Sequence, residues 1–160
     1  MLRKIILLRH AKSSWKDPLL RDFDRPLSKR GIKDTKLMKV HITSLLKEVD
    51  EIYSSPSIRT RQTINQLAPE FPRVNYVESL YLGDVSVVLS LLESIQTRIK
   101  TVMIVGHNPC IQETMEIIWK KPVEKFPTCA KVVFSLQNGW SKTNTPFGNL
   151  EKFVKPSDIK

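Results

Sequence analysis

Glycine is scarce in this chain, at five residues of 160, and cysteine is scarcer, at two. None of the glycines builds the glycine-rich loop with a following Lys and Ser or Thr that cradles nucleotide phosphates, which excludes a P-loop kinase. A cysteine phosphatase needs an Arg six residues after its nucleophile, and Glu116 and Ser135 stand there after Cys110 and Cys129. The same two thiols show no metal-ligand spacing, and they suit a reducing compartment, so a cytoplasmic location is expected. The three histidines, His10, His41 and His107, also lack ligand spacing. Neither a metal nor another cofactor is therefore expected. No apolar stretch approaches the roughly 20 residues that cross a bilayer, so no membrane partner is expected. The opening MLRKIILL is too short an apolar run for a leader, and no small-residue cleavage site follows it. Acidic residues number 16 against 26 Lys and Arg, leaving a net charge of +10. That excess favours anionic partners without choosing among them. Aromatic residues interleaved with basic ones, the mark of single-strand nucleic-acid binding, are not evident, and nucleic acid is not the expected partner.

What is present alternates between two periodicities. Short apolar runs predict strands near 3–9, 49–54, 101–106, 131–136 and 150–154, with a weaker one near 74–77. Between them lie helical patterns. Residues 29–47 place Met38, Ile42, Leu45, Leu46 and Val49 on one face; residues 84–98 repeat Val85, Val88, Leu89, Leu92 and Ile95; residues 109–119 repeat Ile111, Met115, Ile118 and Trp119. A fourth helix is expected over 56–68, and loops over 16–28 and 137–149. Strands alternating with helices predict an α/β fold with a mostly parallel sheet of five or six strands covered by helices. Residues 1–160 are expected to form one domain.

Chemistry gathers where strands hand over to helices. The stretch LLRHAKSSW, 7–15, drives an apolar strand into Arg9 and His10. SSPSIRTRQT, 54–63, brings Arg59 and Arg61 into the first turns of a helix, with Ser55 as cap and Pro56 at its first position. VGHNP, 105–109, ends a strand on His107, with Asn108 and Pro109 expected in the same capping roles. Ligands of open α/β sheets bind at the carboxyl ends of the strands. If these strands are neighbours, two histidines and at least two arginines meet in one pocket. That set suits phosphoryl transfer: an imidazole attacks phosphorus while arginines hold the charged equatorial oxygens.

These motifs, together with DRPLSKRG at 24–31, resemble the histidine phosphatase superfamily, also called phosphoglycerate mutase-like, and within it the small SixA-type phosphohistidine phosphatases. The resemblance implies a three-layer α/β/α sandwich. It implies that His10 becomes phosphorylated, that Arg9 and Arg59 bind the phosphoryl group, and that His107 completes the pocket. The implied reaction is hydrolysis of a phosphoryl group from phosphohistidine on a protein, such as a histidine-phosphorylated signalling protein, by a monomer. The alternatives are a phosphatase or mutase of small phosphorylated metabolites, and a non-catalytic phosphoprotein or nucleic-acid binding module. An intact His10 argues against the binding module, which needs no nucleophile.

The chain departs from the family pattern twice. Ala11 stands where Gly is usual after the Arg-His pair, and its methyl is small enough for the motif to survive. Many members carry a glutamate proton donor after the second motif; here VESLYLGD offers only Glu78 and Asp84. Asp84 is the first candidate donor, although the cap of the following helix is its competing role. Asp22 and Asp24 are further candidates, with Asp17 beside them, all in the loop after His10. Arg25 either assists binding or pins that loop to an acid. Arg61, two residues past Arg59, is expected to face elsewhere, and His41 to lie at a helix boundary. Lys29, Lys33, Lys36 and Lys39 align on one helix face, which is either simply solvated or a dock for an acidic phosphoprotein or nucleic acid.

Overall fold

The computed structural model describes residues 2–137, 139–140 and 146–159. Six strands form one mixed sheet: β1 (Arg3–Arg9), β2 (Glu51–Ser54), β3 (Val74–Tyr76), β4 (Thr101–Gly106), β5 (Lys131–Leu136) and β6 (Gly148–Val154). Their order is β3-β2-β4-β1-β5-β6. The ladders joining β1, β2, β3 and β4 are parallel, and β5 runs antiparallel to both β1 and β6. Four helices connect them: α1 (Lys29–Leu46), α2 (Ile58–Leu67), α3 (Val85–Ser94) and α4 (Cys110–Trp119). The expected α/β architecture is therefore present. Of the loop expected over 137–149, residues 138 and 141–145 lie outside the described residues, and β6 begins at Gly148.

Alternation along the strands sends apolar side chains to both faces, as a sheet covered on each side requires. On one face Ile6, Leu8, Ile52, Met103 and Val105 meet Met38 and Ile42 of α1 and Ile64 and Leu67 of α2. On the other, Ile5, Leu7, Val102 and Ile104 meet Val88 and Leu92 of α3 and Ile111, Met115 and Ile118 of α4. Met38 and Ile42, Val88 and Leu92, and Ile111, Met115 and Ile118 are among the positions that periodicity singled out in α1, α3 and α4, and all are buried.

Two helix starts differ from expectation. Helix α2 begins at Ile58 with Ser57 at the cap position, where the Ser57 and Thr60 hydroxyls pair at 2.9 Å, while the Ser55 hydroxyl meets both the Ser57 N–H at 3.3 Å and His107 Nε2 at 2.8 Å. Helix α4 begins at Cys110, one residue late; Asn108 Oδ1 still accepts the Gln112 N–H at 3.2 Å, while its amide donates to Phe126 O at 2.9 Å.

One close approach fixes the segment after β1. The Lys12 carbonyl accepts from the Ser28 N–H (2.8 Å) and the Ser28 hydroxyl (3.1 Å), and that hydroxyl caps α1 by accepting from Gly31 N–H at 3.0 Å. A Cβ on Gly31 would sit 2.2 Å from Lys12 O, inside any allowed contact. Gly31→Ala must push α1 away from the loop that carries the first motif. We expect a loss of about 1–3 kcal/mol, the usual cost of overpacking, read as a lower urea midpoint at unchanged slope. A variant as stable as the parent would show that α1 slides freely over this loop.

Candidate active site

The sheet register builds the site. Arg9 pairs with Gly106 across β1 and β4, so the next residues on each strand, His10 and His107, emerge side by side. Ser54 pairs with Val105 across β2 and β4, which sets Ser55 at the same edge. The His10 N–H donates to Gly106 O, and the Ser55 N–H to Val105 O, both at 3.1 Å, extending the ladders past the strands. The two imidazole centroids lie 5.0 Å apart. Arg59 enters from the first turn of α2. Arg9, His10, Arg59 and His107 thus line one cavity of about 230 Å³, with Lys12, Ser13, Trp15, Arg25, Asn108 and Thr128. No Asp or Glu is among these lining residues.

Each group is oriented by a neighbour. His10 Nδ1 lies 2.7 Å from the Ala11 carbonyl, which only accepts, so Nδ1 carries the proton and Nε2 keeps its lone pair. Ala11 is fully buried, its N–H donates to Thr63 Oγ1 at 3.0 Å, and its φ is not positive. A glycine is not required there. His107 Nε2 lies 2.8 Å from Ser55 Oγ. Arg9 Nη1 donates to Phe126 O at 2.9 Å. Arg59 donates twice to Asp22, to its carbonyl at 2.7 Å and to Oδ2 at 3.0 Å. Among the described residues, two buried side-chain polar atoms have no hydrogen-bond partner, Arg9 Nε and His107 Nδ1. Both belong to this cavity, and a bound anion with several acceptor oxygens would satisfy them.

Burial pushes His10 down to about 3, with the nearby His107 and the two arginines adding to the shift against the opposing pull of the Ala11 carbonyl. Burial and Arg59 take His107 to about 4. Both rings are neutral at pH 7. Desolvation raises Asp22, but bonds from Tyr81, Arg59 and Arg25 outweigh it and hold the carboxyl at about 2.

The candidate proton donors are placed as follows. Asp22 is ionised and bridges Arg59, Arg25 and the Tyr81 hydroxyl, the last at 2.7 Å. Asp24 pairs with Arg21 at 2.8 Å. Asp17 closes a turn by accepting from the Leu19 N–H. Asp84 caps α3, accepting from the Ser86 N–H at 2.9 Å. Glu78 is exposed in a short 3-10 turn. Arg25 pins the loop to an acid, tying 13–25 together through Ser13 Oγ, Ser14 O and Asp22, and it also lines the cavity. Arg61 points away, donating to Pro56 O and lying over the Tyr76 ring. His41 is half-buried on α1, and Lys29, Lys33, Lys36 and Lys39 are exposed.

Reading the sequence missed the contact partners. Tyr81 sits edge-on to His107 with centroids 5.7 Å apart and holds Asp22. Trp15 and Thr128 line the cavity. Trp15 had a signal, since it closes the first motif. Thr128 had none, because its loop meets the site only through the antiparallel return of β5.

A mixed sheet between two helical layers, whose parallel strand ends gather two neutral imidazoles and two guanidiniums, suits phosphoryl transfer. The comparisons agree. Residues 5–81 match the model of the histidine phosphatase superfamily, branch 1. An uncharacterised protein of Mycobacterium tuberculosis is 30% identical over 159 residues, covering 93% of this chain and 99% of its own. The structure assigned as phosphohistidine phosphatase SixA from Agrobacterium tumefaciens superposes with a TM-score of 0.81 at 29% identity, covering 96% of this chain and 98% of its own. The tungstate complex of the protein histidine phosphatase SixA shares the fold, with a TM-score of 0.82 at 20% identity, covering 98% and 99%. The chain belongs to the histidine phosphatase superfamily, in its small SixA-type branch, and is a phosphatase.

The neutral histidines make a stability prediction. A base held near 3 or 4 when folded and at 6.5 when unfolded takes up its proton preferentially in the unfolded chain. Stability is then whole above about pH 6.5 and falls as pH drops toward the folded values. At pH 5 each histidine should cost up to about 2 kcal/mol. The fall in stability between pH 7 and pH 5 should be about half as steep in His10→Asn. Chemical denaturation at several pH values measures it, and identical slopes would mean that His10 titrates normally.

Proposed function

We propose that this protein hydrolyses phosphohistidine on a protein, through a phosphorylated His10. The observation that carries the reading is a neutral, tautomer-fixed His10 facing two arginines in a cavity that no carboxyl group lines. Arg9 Nε and the remaining donors of Arg59 hold the phosphoryl oxygens. The Ser55 hydroxyl accepts from the Ser57 N–H at 3.3 Å and donates to His107 Nε2, which leaves the proton of His107 on Nδ1, free for a phosphoryl oxygen. His10 Nε2 attacks phosphorus in line, and the bond from phosphorus to the substrate imidazole breaks. The substrate ring carries a proton from solvent on its other nitrogen as that bond breaks, and it leaves as neutral imidazole. Water then attacks phospho-His10, releasing phosphate and restoring the neutral ring.

Leaving-group chemistry favours this substrate. An alkoxide needs a positioned acid worth roughly 10²–10⁴ in rate. Asp22 is ionised at neutral pH, and Asp24 and Asp84 are engaged with Arg21 and with the start of α3. An imidazole, whose conjugate acid has a pKa of about 6.5, leaves without such help. Size points the same way. A cavity of about 230 Å³ is below the roughly 300–1,000 Å³ of sites that enclose a whole small ligand. It suits a phosphorylated side chain reaching in from a protein.

His10→Ala should fold and yet lose turnover. Rapid quench with a radiolabelled phosphohistidine peptide should trap phosphate on the parent that is stable to base and lost in acid, and none on the variant. Retention of a tenth of the parent's kcat, a barrier change of only about 1.4 kcal/mol, would remove His10 as nucleophile. The parent should also prefer phosphohistidine peptide over phosphoserine peptide and sugar phosphates by 10²-fold or more, about the contribution of a general acid. A panel in which sugar phosphates lead in kcat/KM would replace this reading with a small-metabolite phosphatase, and turnover of nothing would leave a binding module.

A further inference from the structure

The indole of Trp15 is poorly explained by folding. It is 72% exposed, yet it lines the catalytic cavity. One face is taken: the Arg25 guanidinium lies over the ring, 3.2 Å from its centroid. Arg25 itself cannot wander. It is buried, with Ser13 Oγ at 2.7 Å, Ser14 O at 3.0 Å and Asp22 Oδ1 at 3.1 Å accepting from it. Asp22 in turn holds Arg59. The indole is therefore pinned by the network that orients Arg59, and most of its surface stays exposed beside the cavity it lines.

An exposed tryptophan held rigid by a buried cation is an aromatic platform. Flat rings stack on such a face, while an alkyl chain or a sugar gains less from it. A stacked guanidinium on the far side holds the ring in place without neutralising it. We propose that Trp15 is a specificity residue, against which the planar leaving group of the substrate, an imidazole, stacks while its phosphoryl group sits between Arg9, Arg59 and His107. This rests on the function proposed above and adds a determinant that the two arginines and two histidines do not supply, since those groups contact only the phosphoryl oxygens and phosphorus.

The test compares two peptides of one sequence, carrying N-phosphohistidine or Nε-phospholysine at the same position. Both present a P–N bond, and only one presents a ring, so any docking elsewhere cancels. In Trp15→Leu the ratio of kcat/KM for the histidine peptide over the lysine peptide should fall about fivefold or more, and Trp15→Phe should restore most of it. A structural role would lower both substrates together and leave the ratio unchanged, which would overturn the proposal. A second arm needs no turnover. Imidazole is titrated into tungstate-loaded protein, and indole emission is read as the difference between the parent and Trp15→Phe, which removes the contributions of Trp119 and Trp140. Saturable quenching of that difference supports the platform, and its absence overturns it. A parent that cleaves neither peptide would instead strike the phosphohistidine assignment, and the imidazole titration would still decide the platform.

Discussion

Three guanidinium groups, one ammonium and two imidazoles line one small cavity, and a single carboxylate, Asp22, is bound to two of those guanidiniums, Arg25 and Arg59. Burial and that imbalance together set the electrostatics of the site. Arginine keeps its charge in any protein environment, so the histidines must yield, and burial with two cations nearby holds both rings neutral. Neutrality is what a nucleophile needs: protonation would remove the lone pair on Nε2 and place a third positive charge beside the phosphorus. The same crowding that would repel a proton suits an anion with several acceptor oxygens.

Holding like charges together takes a stiff frame, and the sheet supplies it. Three adjacent parallel strands, β2, β4 and β1, end in step between two apolar layers. A one-residue slip of β1 against β4 would turn His10 to the other face of the sheet. The antiparallel return at β5 adds the opposite wall. Its incoming loop presents Phe126 O to Arg9 and places the Cys129 N–H against the carbonyls of Arg9 and His10, at 3.1 and 3.0 Å. Cys129 takes a positive φ to do so, although it carries a side chain. Its buried thiol, pushed up to about 12, has no chemistry to offer, which agrees with a structural part.

Strand and helix positions were legible because each is a periodic property of a short segment. Arg59 was legible from the helix start after Ser54-Ser55-Pro56, and the cavity's other three central residues because of where two apolar runs stop. One ends on Arg9-His10 and the other on His107, and the end of a parallel strand is where an open sheet meets its ligand. What the sequence withheld depends on register and on crossings between distant segments. That Ser55 reaches His107 as well as the Ser57 N–H at the start of its own helix follows from β2 lying beside β4, which nothing local encodes. Tyr81 reaches His107 and Asp22 from a turn before α3. The capping role weighed for Asp84 was readable from its position alone, since an Asp before an apolar helix needs only its own backbone as partner. The fate of Asp22 was not, because three partners from three segments decide it.

The manner in which the arginines are held completes the argument. A guanidinium offers five N–H donors. Arg9 gives one of them to a backbone carbonyl, and Arg59 gives two to Asp22, one of these again to a carbonyl. Carbonyl oxygens fix direction without cancelling charge, and in both residues donors are left over for the phosphoryl oxygens. Had carboxylates done this work for both arginines, the cavity would hold less positive charge for an anion, and burial alone would oppose protonation of its histidines. The protein instead spends a single carboxylate, shares it among Arg59, Arg25 and Tyr81, and keeps it ionised. The residue that orients the phosphate clamp is thereby disqualified as proton donor. A site built in this way places the burden of protonation on the leaving group, and an imidazole is the leaving group best able to carry it.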